Sequence, residues 1–141
     1  TTTGDDPTST TADDTTSTTA DESSTGPDTT TGVVGLSFAA DVFPVWNPPV
    51  RCDCHVGGAG GMKLGATAGE AYAAMVGVSA NGAPLNRVEP GDHLTSYVFH
   101  KLSGTQADVG GGGNNMPLGA PLFSQTDIDL IAQWIDEGAS P

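Results

Sequence analysis

From Thr1 to Gly32 the chain carries no large apolar side chain, so a core can form only after it. The segment holds 14 Thr, 4 Ser and seven acids (Asp5, Asp6, Asp13, Asp14, Asp21, Glu22 and Asp28), and no Lys or Arg. Its burial cannot offset the entropy of ordering it, which predicts a low-complexity segment over residues 1–32 and a folded domain over 33–141. Thr/Ser-rich sequence with Pro suits O-linked glycans. Asn47 is followed by Pro48, and no other Asn begins an Asn-x-Ser/Thr acceptor, so any glycan is expected to be O-linked. Two uses fit the segment: a solvated spacer between a surface anchor and the domain, or a glycan-coated stretch ordered by assembly.

Charge removes several classes of partner. Formal net charge is −13, from 17 acids against Arg51, Lys63, Arg87 and Lys101, which form no cluster. Nucleic-acid binding needs a basic footprint, and adsorption to an anionic membrane needs one too. No apolar run approaches the roughly 20 residues of a membrane-spanning helix. The chain opens on "TTTGDD" without an initiator Met. That start points to a processed, exported protein of the periplasm or cell surface, with any lipid anchor lying outside this chain.

Beyond residue 33 the pattern predicts a mainly α domain of about four short helices joined by Gly/Pro-rich loops. In "SFAADVFPVW" Phe38, Val42 and Val45 share one helical face, and Asn47-Pro48-Pro49 stops it. "TAGEAYAAMVG" has Thr67 and Glu70 at capping-box spacing, with Gly77 as the stop. "DHLTSYVFHKLSG" predicts a helix starting at Asp92 or Thr95 and ending before Gly104. "SQTDIDLIAQWIDEG" is capped by Ser124 with Asp127, carries a stripe of Ile128, Ile131, Trp134 and Ile135, and ends at Gly138. No stretch alternates as a strand does.

The chemistry-bearing stretch is "VRCDCHVGG", Val50 to Gly58. A Cys-x-Cys disulfide closes a small strained ring and staples little, so these cysteines are read as reactive. Cys followed by His is the end of a covalent haem motif, in which a thiol adds to a vinyl group and the imidazole reaches the iron. The second axial ligand is often a Met thioether on a downstream loop. "GGGGNNMPLGAPL" offers Met116, followed by Pro117. His100 is the alternative sixth ligand, against a reading as a hydrogen-bonded, partly buried His. Met62 and Met75 read as core fillers, and His93, beside Asp92, as solvent-facing. Arg51 and Arg87 are either partners of the haem carboxylates or surface charges.

These residues resemble class I-type cytochrome c domains, especially those attached to bacterial surface and periplasmic proteins. The resemblance rests on "DVFPVW", "CDCHVGG", "AYAAMVGV", "RVEPGDHLTSYVFHKLSG" and "MPLGAPLFSQTDIDLIAQWIDEGA", in that order, over about residues 36–139. The Thr/Asp-rich head is similar in composition to spacers of exported myxobacterial proteins. The resemblance implies a haem c with His55 as proximal ligand and Met116 as distal ligand, and one-electron transfer without substrate turnover. The helices from Ser37, Asp92 and Ser124 would wall its pocket.

The family pattern is Cys-x-x-Cys-His. Aligning on Cys54-His55 puts Arg51 where the first Cys belongs and Cys52 one place late. Three arrangements stay open: a thioether from Cys54 alone, a second one from Cys52 through a distorted turn, or a haem-free domain kept for another purpose. The main expectation is attachment through Cys54.

Two other functions remain. One is a glycosylated structural or filament subunit, in which residues 1–36 pack on neighbouring copies; haem domains stacked in this way would conduct. The other is a mononuclear zinc or copper site of Cys52, Cys54, His55 and His93 or His100. Partners are accordingly a redox protein or further copies of the chain. No enzyme is expected, since no Ser elbow, His-Glu-x-x-His or framed carboxylate pair is present. The glycine run at 110–113 lacks the Gly-Lys-Ser/Thr of a phosphate loop, and Asp108 lacks EF-hand spacing.

Overall fold

Ser37 starts the first helical segment, and Pro44 decides its shape. Ser37 Oγ accepts from Ala40 N at 3.2 Å, satisfying one N–H that a helix start leaves unpaired. Pro44 has no N–H to return to Ala40. The ladder before it is widened: Phe38–Val42 is π-helical, with Phe43 N donating to Phe38 O, and α1 (Phe43–Trp46) continues from it. The computed structural model describes residues 35–46 and 51–141. The Thr-rich segment with its expected glycans, and the Asn47-Pro48-Pro49 stop, lie outside the described residues.

Phe38, Val42 and Val45 all meet the core, Val45 only partly buried. An α-helix from Phe38 would bury Val42 and Val45. One extra residue per turn rotates the residues after it, so Phe38, Val42 and Trp46 are buried and Val45 is half-buried.

Five short α-helices appear among the described residues, one more than the sequence predicts. The additional one, α2 (Asp53–Val56), carries the Cys-His pair itself. A 3-10 turn, Ala59–Gly61, follows it. α3 (Ala68–Met75) begins with the expected box: Thr67 Oγ1 accepts from Glu70 N, and Glu70 Oε2 accepts from Thr67 N. Gly77 turns the chain away in the left-handed region at φ 68°.

The predicted helix from Asp92 or Thr95 is broken in two. Asp92 caps only a 3-10 turn, His93–Thr95, and α4 is Tyr97–Ser103. Ser96 between them is extended and fully buried. Its hydroxyl donates to Asp92 O at 2.8 Å and accepts from Glu89 N at 2.8 Å. A serine bonded in this way to backbone competes with the helix. A short 3-10 turn, Gln106–Val109, and the glycine loop lead to α5 (Gln125–Asp136).

The core forms where α5 meets the first segment. Ile128, Ile131, Trp134 and Ile135 are buried, as the stripe predicts, with Phe38, Trp46, Leu64, Met75 and Val88 in the same cluster. Phe38 packs on Trp134 and Tyr72 with ring centres 5.3 and 5.7 Å apart. The chain end closes over them: Phe38 N and Trp134 Nε1 both donate to Ser140 O, at 2.9 and 2.7 Å, and Tyr72 Oη donates to Ala139 O at 2.9 Å. The fold is mainly α. Pairing between extended segments among the described residues is limited to isolated bridges such as Val76 with Val88. No helix of the described residues is long and apolar enough to cross a membrane.

Candidate functional site

Arg51 anchors the turn that carries the thiols. Its Nη1 donates to Asp127 Oδ2 at 3.0 Å, and its guanidinium lies 4.8 Å from the centre of the Phe123 ring. Arg51, read from sequence as either a carboxylate partner or a surface charge, is thus engaged by the first turn of α5.

His55 is oriented by the turn after it. Leu64 N donates to His55 O at 2.9 Å, so the chain folds back beside α2. His55 Nδ1 lies 2.8 Å from Ala59 O. A carbonyl only accepts, so Nδ1 carries the proton and, in the neutral ring, Nε2 keeps its lone pair. Metal-ligating histidines are commonly fixed in this way. The turn is held in its own right: Asn81 Nδ2 and Arg87 Nη2 donate to Gly61 O at 3.2 and 3.3 Å, and Arg87 Nη1 donates to Ala74 O at 2.6 Å.

Met116 is held by α4. Met116 N donates to Lys101 O at 2.9 Å. Lys101 Nζ donates to Gly112 O and Asn114 O at 2.8 Å each, and Tyr97 Oη donates to Gly112 O at 3.3 Å. Gln106 Nε2 adds a bond to Gly113 O at 3.0 Å. Gly111 must be glycine here, because a Cβ would overlap the Tyr97 ring and the Gln106 carbonyl.

Between these loops and α4 lies a mainly apolar cavity of about 250 Å³, partly open to solvent. Small-molecule sites begin at roughly 300 Å³. His55 and Met116, far apart in sequence, both line it. Met62 and Met75 line it too, so every methionine of the chain is on this wall. Met75 is both core and wall, at 1 % exposure. Asn81, Arg87, Tyr97 and Lys101 complete the polar part of the lining.

The other expected site residues lie elsewhere. Neither cysteine is on the wall, and the two are not joined. Cys54 is exposed, whereas Cys52 is half-buried against the core. Burial pushes the Cys52 thiol up to about 11, Arg51 opposing this and Cys54 adding to it. His100, the alternative axial ligand read from sequence, is buried and does not line the cavity. Its Nε2 donates to Leu94 O and its Nδ1 accepts from Thr105 Oγ1, both at 2.8 Å. To ligate, it would give up one of these bonds and leave the core. His93 Nδ1 donates to Asp136 at 2.8 Å. Among the described residues no three His, Cys, Asp or Glu side chains are grouped as metal ligands.

Tyr97 and Lys101 were missed from sequence. They stand four apart on α4 and so share a helix face, but only the fold shows that this face meets the cavity. The chain matches no family model, no curated protein and no solved structure.

Proposed function

We propose that the domain is a one-electron carrier of the class I cytochrome c type within an exported or cell-surface protein. One observation carries this reading: His55, its Nδ1 tied down and its Nε2 lone pair available, lines the same apolar cavity as the Met116 thioether. An imidazole and a thioether are the donor set of cytochrome c iron, and an apolar lining suits a porphyrin. The donor set fits the group, while the cavity of about 250 Å³ would have to widen to admit it. His55 and Met116 would hold the iron, and Cys54 would make the principal thioether. Cys52, protonated and half-buried, is the poorer nucleophile. When bound, the haem supplies a one-electron couple.

This chain's own residues do the rest. Ala59 O and Leu64 N fix His55, Lys101 O fixes the backbone of Met116, and the apolar wall limits water. The acidic surface favours a cationic redox partner, and neighbouring copies of the chain are a second route for electrons.

The visible spectrum of the purified protein tests the reading. A pigment that stays with the chain on denaturation supports it, and a colourless protein overturns it. In the reduced pyridine haemochrome a remaining vinyl group shifts the band to the red, which separates one thioether from two. Met116→Ala should abolish the sulfur-to-iron charge-transfer band of the oxidised protein; if the band is unchanged, Met116 is not the ligand.

A further inference from the structure

The charge on the cavity wall is opposite to that of the chain. Formal net charge is −13 with only 4 basic side chains, yet Arg87 and Lys101 both line the cavity and no Asp or Glu does so among the described residues. Among the described residues neither cation pairs with a carboxylate; the ion pairs there are Arg51 with Asp127 and His93 with Asp136. Among the described residues Arg87 donates to Ala74 O and Gly61 O, and Lys101 to Gly112 O and Asn114 O, its Nζ lying 5.7 Å from the centre of the Tyr97 ring. Both side chains carry more N–H donors than these bonds use. Partial burial lowers the Lys101 pKa. Two cations with no counter-ion among the described residues, at an apolar cavity of a strongly acidic chain, leave charge that a ligand can compensate.

We propose that the cavity selects ligands joining an apolar body to an anionic group, with the anion held by Arg87 and Lys101. The proposal rests on taking the His55–Met116 cavity as the ligand site, and it names the class of ligand that the site accepts. A haem, through its carboxylates, belongs to this class. A neutral apolar molecule of the same size does not.

The test compares two fluorescent probes of like aromatic body on the full chain prepared without covalently attached pigment. These are the anion 1-anilinonaphthalene-8-sulfonate and the neutral N-phenyl-1-naphthylamine. The anion is expected to bind about tenfold tighter despite the acidic chain, as one charge-assisted hydrogen bond allows. Salt should weaken only the anion. Arg87→Met and Lys101→Met should each weaken the anion about tenfold and leave the neutral probe within about twofold. Lys101→Arg, which keeps the charge, should retain the anion's affinity within about twofold, so a loss of fold is told apart from a loss of charge. Equal binding of the two probes overturns the proposal, as does a loss in the Met variants that is shared by both probes. A pigmented protein with no preference for the anion sinks this proposal and leaves the haem reading standing. A colourless protein with the preference does the reverse.

Discussion

Arg51 Nη1 donates to Asp127 Oδ2 at 3.0 Å, and Asp127 is also the return partner in the cap of α5, its Oδ2 accepting from Ser124 N at 3.3 Å. The residue before the Cys-x-Cys-His turn is thus locked to the start of the core helix. Both side chains are about a quarter exposed, so the pair is partly shielded from solvent. Arg51→Met should cost about 1 kcal/mol, and Asp127→Ala, which also removes a cap, about 1–2 kcal/mol. Urea unfolding of both single variants and the double variant checks this. Strict additivity would show that the two side chains do not interact.

The same carboxylate gives stability a pH dependence. Burial acts to raise Asp127, but hydrogen bonds from Arg51 and Ser124 outweigh it and hold the group below its ordinary value. Asp136 is lowered in the same way, burial being outweighed by hydrogen bonds from His93. A carboxylate depressed in the folded state binds fewer protons than in the unfolded chain. Its contribution is present above the ordinary carboxylate pKa of about 4 and is lost as pH falls through the depressed value. Unfolding free energy should therefore fall below pH of about 4, and Asp127→Asn should flatten that fall. An unchanged slope in this variant would remove Asp127 from the account.

The two thiols should differ in reactivity. Cys54 is exposed, while the Cys52 thiol is pushed up to about 11, chiefly by burial. The thiolate is the nucleophile, so iodoacetamide at a pH of about 8 should label Cys54 first in the pigment-free chain. Peptide mass mapping reads the order. In the pigmented protein Cys54 should be blocked, and Cys52 should label only after unfolding. Equal rates in the folded, pigment-free chain would contradict the burial of Cys52.

Gly111 and Gly112 make a matched pair. A Cβ at Gly111 overlaps Tyr97 and the Gln106 carbonyl, whereas one at Gly112 meets nothing within 4 Å. Gly111→Ala should destabilise by about 1–3 kcal/mol, as overpacking does. Gly112→Ala should be near neutral. Thermal unfolding of the two variants separates them, and equal losses would mean that Tyr97 does not press on this loop.

Much of the fold was legible from local rules. Thr67 with Glu70, and Ser124 with Asp127, were readable as caps because their bonds span three residues. The α5 stripe was readable because one face of a long helix must be buried. Reading failed where a tertiary bond overrode a local preference. Ser96 is tied to Asp92 and Glu89, and this cuts a predicted helix in two. The π turn before Pro44 brings Trp46 to the buried face and leaves Val45 half-buried against the core. At the cavity, His55 and Met116 were singled out by residue type and motif. Tyr97, Arg87 and Lys101 join them through pairings of loops distant in sequence, such as Arg87 with Gly61, which no local pattern encodes.

Phe38 N donates to Ser140 O, so the first described helical turn and residues 139–140 lie side by side. A unit closed in this way can be spliced into a surface loop of a host protein without stretching either junction. It can also be reconnected end to end and reopened elsewhere. The segment from Leu118 to Leu122, whose end side chains are 62 % and 54 % exposed, is the natural place for the new break.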